Sequence, residues 1–132
     1  MDRFYIELHN LLDQVAKELK DIRTIMARDS YMGVEEIKLR HSLLVQRVFA
    51  RREALAEAKH QIGIWNELEK SMKEETVLGW KARREVIKLQ DRADRAEAFA
   101  AAMLVLAKHA IETTEGATLT AWLARYDANV AG

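Results

Sequence analysis

The chain has no cysteine, no proline and only five glycines in 132 residues, and its 21 basic side chains are matched by 21 acidic ones. The missing cysteine excludes disulfides, a thiol nucleophile and a thiolate metal site. Such a composition suits a reducing compartment, and the cytoplasm is the expected location. The missing proline and scarce glycine leave few positions where the backbone is compelled to turn. With no net charge, no global field would hold the molecule on DNA or an anionic membrane, so any nucleic-acid contact has to be local. Long apolar runs are missing as well. The greatest, Ala98 to Ala107 within AFAAAMLVLAKHA, lies between Glu97 and Lys108. It spans about ten residues where a membrane-crossing helix needs roughly twenty. The opening MDRFYIELHN carries an acidic residue and alternates polar with apolar side chains, unlike an export signal. No membrane association is expected.

Motifs of catalysis are also lacking: there is no Gly-rich phosphate loop, no His-Glu-x-x-His, no nucleophile elbow and no paired-Cys metal motif. Active sites are commonly built on loops held by a scaffold, and the predicted loops here are short and poor in catalytic residue types. A non-enzymatic role, with no catalytic residue, no metal and no cofactor, is therefore expected.

What remains is rich in Ala, Leu, Glu, Lys and Arg, the composition of long helices. The predicted fold class is all-α, an elongated antiparallel bundle of three long helices at about 3–28, 34–72 and 77–113, with a short C-terminal helix at about 118–128. Residues 1–128 form one expected domain and 129–132 a frayed tail. Phe4, Leu8, Leu11, Val15, Leu19, Ile22 and Met26 mark the apolar face of the first helix, with Asp2 as its cap and Asp29 to Gly33 as the turn after it. The second helix follows Ile37, His41, Leu44, Val48, Arg51, Leu55, Ala58, Ile62, Trp65, Glu69 and Met72. Ser71-Met72-Lys73-Glu74 has the form of a capping box, so a break is placed between 71 and 79. A small-residue seam, Ala82, Val86, Leu89, Ala93, Ala96, Ala100, Met103, Ala107 and Ala110, marks the third helix, and Gly116 ends it.

Two surfaces stand out as candidates. Lys81, Arg84, Lys88, Arg92 and Arg95 recur at steps of three and four, spanning about 14 residues and roughly 21 Å of helix, the scale of several phosphates. Arg40, Arg47 and Arg51 add a looser basic row, and Trp80 is an aromatic placed to stack on a base. The alternative is a solvated face paired within its own helix, Arg84 and Lys88 neighbouring Glu85 and Asp91 and Arg95 having Asp91 and Asp94 nearby. The second surface is apolar: Trp65, Phe99, Ala102, Leu106, Trp122 and Tyr126 are candidate protein contacts.

Weaker patterns complete the inventory. Glu57-Ala58-Lys59-His60 has the Glu-x-x-His form of di-iron bundles, but that chemistry needs a second copy and bridging carboxylates. His9 and Asp13 are one turn apart, and His41, at a seam position, would make association pH-sensitive. Arg52-Glu53-Ala54-Leu55-Ala56 resembles the Arg-x-x-Leu-Ala of helical chorismate mutases, and Arg84-Glu85 is similar to their later Arg-Glu pair. Where that family places a substrate-binding Lys eleven residues after the Arg, this chain has Gly63, which sets the implied activity aside. The sequence is thus read as that of a helical interaction protein, a subunit or adaptor with a protein partner or a second copy of itself. Contact with a nucleic-acid backbone is an added option, a small phage- or plasmid-type inhibitor of a host complex without nucleic-acid contact is the alternative, and a helical metal-binding or small-molecule enzyme is the second alternative.

Overall fold

A computed structural model describes residues 3–27 and 33–132. Asp2 and residues 29–32, the expected first cap and most of the first turn, lie outside the described residues. The described residues form five helices and no strand: α1 Arg3–Met26, α2 Val34–Ala50, α3 Arg52–Ser71, α4 Glu74–Ala82 and α5 Val86–Ala131. The fold class is all-α, as the composition predicts.

The expected second helix is two helices. Arg51 sits between α2 and α3 with φ −96° and ψ 7°, and its N–H donates to the Val48 carbonyl at 3.2 Å, a tightened turn. No glycine or proline marks this position, which is why periodicity runs straight through it. The break expected between 71 and 79 is present, since α3 ends at Ser71 and α4 starts at Glu74. The capping box is not formed. Lys73 is the N-cap without a side-chain hydrogen bond, and the Ser71 hydroxyl donates back to the Leu68 carbonyl at 3.0 Å.

A second break follows. Arg84 N–H donates to the Lys81 carbonyl at 3.2 Å and Glu85 N–H to the Trp80 carbonyl at 2.9 Å, the paired bonds of a Schellman ending. Arg84 takes the left-handed position of that motif, φ 53°, where glycine is usual. From Val86 the chain is a single helix of 46 residues. The separate C-terminal helix is therefore absent: Gly116 does not end a helix but lies inside α5, where an added Cβ would meet Leu44 Cδ2 at 3.5 Å. Residues 129–131, read as a frayed tail, are also helical.

The chain divides into two compact units, residues 1–53 with 107–132, and residues 54–106. In the first, α1, α2 and the end of α5 pack around Ile25, Ile37, Leu44 and Leu119, with Val48, Trp122 and Leu123 against them. Gln14 meets Lys108, while on α2 Arg40 meets Glu115 and Arg51 meets Glu112. On α5 the partner number falls as the α2 number rises, so α2 runs against the end of α5. On α1 the buried face is Leu8, Leu11, Val15, Glu18, Ile22 and Ile25, and Leu19, expected in the seam, is 52% exposed. A strict alternation of three and four places Glu18 there instead; the side chain of Met26 lies outside the description.

In the second unit α3 packs on the first part of α5. Ala58 and Ala102 are buried, and the Trp65 and Phe99 rings stack at 5.6 Å and 18°, worth about 1 kcal/mol beyond the area they bury. No residue from Ala96 to Ala102 is exposed, so the first half of the most apolar stretch is sheltered, while Met103 and Ala107 in its second half are exposed. Its inward face, however, is not the alanine seam. Ala93, Met103, Ala107 and Ala110 are exposed, and burial follows Phe99, Ala102 and, further along, Glu112, Glu115 and Leu119. Large side chains remove more area from water than alanines do, so their phase sets the rotation of the helix.

Candidate functional site

In the first unit, burial on α5 falls on two carboxylates one turn apart. Glu112 and Glu115 are each 2% exposed, a position that acidic side chains occupy only when paired. Arg40 on α2 answers Glu115, its Nε 2.9 Å from Oε1, and reaches Asp21 on α1 at 3.3 Å, so one guanidinium ties three helices together. Arg51, freed from regular helix at the α2 to α3 turn, donates to Glu112. Turn and ion pair thus belong to one arrangement. Nearby, Lys108 Nζ donates to Gln14 at 2.7 Å, and His41 and Thr120 lie 3.2 Å apart.

Glu18 completes the cluster from α1. Burial and then the charge of Glu112 push its carboxyl above the usual range, with Lys108, Arg51 and Arg47 pulling the other way. Glu18 Oε2 and Glu112 Oε2 are both buried without a hydrogen-bond partner. In this setting Glu18 holds a proton more tightly than a free carboxyl does, and that is the chemistry the cluster supports. Among the described residues no group of three His, Asp or Glu side chains is arranged to hold a metal ion. Glu57 of the Glu-x-x-His pattern instead accepts from Gln61 Nε2 at 2.9 Å. His9 and Asp13 are an exposed pair at 3.9 Å.

The structure spreads the basic row over three settings. Lys81 is on α4, Arg84 in the Schellman turn, and Lys88, Arg92 and Arg95 on α5, so the five do not share one helix face. Lys88 bonds Glu85 at 3.1 Å and Arg95 bonds Asp91 at 3.1 Å. The Arg92 guanidinium lies 5.8 Å from the Trp65 ring centroid, and its Nε is buried without a partner. Glu85 is held below the usual carboxylate range, first by the hydrogen bond from Lys88. Of the looser row, Arg40 and Arg51 are committed to Glu115 and Glu112, and Arg47 is exposed.

The apolar candidates are likewise divided. Trp65 and Phe99 are spent on each other, Ala102 is buried and Leu106 half-buried. Trp122 packs on the first unit's core and stacks on Tyr126 at 5.6 Å and 6°, leaving Tyr126 40% exposed. The residues missed by the sequence reading are Glu18, Glu112 and Glu115. The signal for them was the row Phe99, Ala102, Leu106, His109, Glu112, which carries the apolar phase of α5 into two glutamates.

A different apolar surface is exposed on α2. Ile37 and Leu44 point into the core at 1% exposure each, while Leu39 and Leu43, on the opposite side of the same helix, are 61% and 50% exposed. They line an open groove with Glu36, Gln46, Arg47 and Ala50. No described helix is long and apolar enough to cross a membrane. Compared with known proteins, the chain matches no family model, no curated protein and no solved structure.

Proposed function

We propose that the chain is a helical interaction protein, a subunit or adaptor of a larger cytoplasmic assembly, which docks protein through apolar faces that its own helices leave uncovered. The observation that carries this reading is a ratio: among the described residues fourteen large hydrophobic side chains are exposed and seven hydrophobic residues are buried. Contiguous exposed apolar side chains mark interaction sites, whereas single ones do not. Leu39 with Leu43 on α2, and Tyr5 with Leu12 on α1, recur at helical spacing and so form rows. The ties from Arg40 to the buried Glu115 and to the half-buried Asp21 give these rows a fixed scaffold. A nucleic-acid contact draws less support, because Lys88, Arg92 and Arg95 each have a partner within the chain.

Site-specific photo-crosslinking in the source cells tests the proposal. A crosslinker in place of Leu39 is expected to give a discrete protein adduct, and one in place of the buried Ala58 none. Absence of any adduct from Leu39 and Tyr5, together with recovery of the native chain only at its own mass of 15.2 kDa, would overturn it.

A further inference from the structure

The outer face of α2 carries opposite charges at its two ends. Along it lie Glu36, Leu39, Leu43 and Arg47, an acid and a base enclosing two leucines at steps of three, four and four. Glu36 and Arg47 are both exposed, and among the described residues neither has an ion-pair partner, although Glu35, Lys38, Arg40 and Arg51 all do. On the far side of the helix Ile37 and Leu44 are taken up by the unit's own core. The helix is therefore apolar beyond its core face, and Leu39 and Leu43 stay uncovered there, as Val45 and Phe49 do further round the helix.

We propose that a second copy of this chain covers Leu39 and Leu43, with two α2 helices packed antiparallel about a two-fold axis that passes between these two leucines. A two-fold interface requires a self-complementary patch, in which residue i meets j of the partner and j meets i. Turned end for end, this row places Glu36 against Arg47 and Leu39 against Leu43, each twice. Glu36 and Arg47 are 11 positions apart, so the two ion pairs lie roughly 16 Å from each other with the leucines between them. A parallel pairing would instead set Glu36 against Glu36 and Arg47 against Arg47, which is repulsive. Gln46 and Ala50 extend the face without adding charge, and Arg40, which also lines the groove, is already committed to Glu115 and Asp21. The inference rests on the proposed interaction role and names the partner as a copy of the chain itself.

Sedimentation equilibrium over a wide concentration range, with helix content followed by circular dichroism, tests it. The native protein is expected to reach twice its 15.2 kDa mass. Glu36→Arg and Arg47→Glu, each creating two like-charge contacts, are expected to weaken the dimer about tenfold, and the double variant to recover it. Leu39→Asp is expected to leave a folded monomer. A native protein that stays monomeric throughout overturns the dimer, and so does a double variant that dissociates like the single ones. If the native chain is monomeric while photo-crosslinks from Leu39 still capture a different protein, the self-association fails and the interaction role stands.

Discussion

Replacing Arg40 by Met tests the network that holds the first unit together. Arg40 is the recorded partner of Glu115, which is 2% exposed, so its loss leaves a carboxylate buried without a counter-charge. Breaking a buried pair from one side costs about 3 to 5 kcal/mol, against a total stability of about 5 to 15 kcal/mol for a small domain. Asp21, the other partner, has a side chain 38% exposed and stays hydrated, so the cost falls mainly on Glu115. With an m-value of about 1.5 kcal/mol/M, the urea midpoint followed by circular dichroism at pH 7 should fall by roughly 2 to 3 M. The double variant Arg40→Met, Glu115→Leu removes both charges and is expected to regain most of that loss, since an apolar pair of similar volume packs at little or no penalty. A fall of less than 1 kcal/mol for the single variant, or a double variant no better than the single, would refute the claim that Arg40 neutralises a buried Glu115.

Glu18 supplies a pH dependence of the less common sign. Its folded-state carboxyl titrates above its unfolded value, so the folded state binds the proton more tightly, and stability contributed by the protonated form is lost as pH rises from about 4.5 through the raised value. Glu18→Gln should therefore be more stable than the native protein at pH 7, by an amount that solvent screening of this partly exposed group keeps small, and should flatten the stability profile above pH 4.5, read from urea melts at several pH values. Arg84 carries a left-handed backbone that costs a non-glycine residue about 1 kcal/mol. Arg84→Gly is expected to raise the melting temperature by a few degrees and Arg84→Val to lower it. Trp65→Ala removes the Phe99 stack and the surface under Arg92 and should cost about 3 to 5 kcal/mol in the second unit, visible as lost hydrogen-exchange protection in residues 54–106. If Lys88, Arg92 and Arg95 do contact nucleic acid, their joint replacement by Ala should lower the salt slope of binding to a labelled oligonucleotide by about 2 to 3. An unchanged slope would leave the row as a solvated and internally paired face.

The all-α class and the first seams were legible because helical spacing survives in single residues: Ile22, Ile37, Leu44 and Ala58 lie where periodicity puts them. The break at Arg51 was not, because its side chain is paired with Glu112 some sixty positions away and no glycine or proline marks the turn. The rotation of α5 was misjudged because its alanines kept a cleaner period than Phe99, Leu106 and Trp122, whose greater area decides which face turns inward. The turn at Arg84 was hidden for a related reason, since a Schellman ending without glycine gives no local signal. Of the candidate site, the basic residues were visible as a row, but their partners Glu85, Asp91, Glu112 and Glu115 determine what that row is available to do. The α2 face was passed over because its leucines fall opposite the seam, where a single amphipathic helix would carry polar residues.

The proposed pairing of two copies through this second face of α2 fixes a distance between them. The chain has no cysteine of its own, so Ala50→Cys carries a single spin label at the end of the face. Antiparallel pairing centred between Glu36 and Arg47 places the two Ala50 positions about 27 Å apart, from 1.5 Å of rise per residue and about 9 Å between helix axes. A dipolar distance near that value at concentrations where the dimer forms is the predicted result. No intermolecular coupling, or a separation near 9 Å as parallel helices would give, would contradict it.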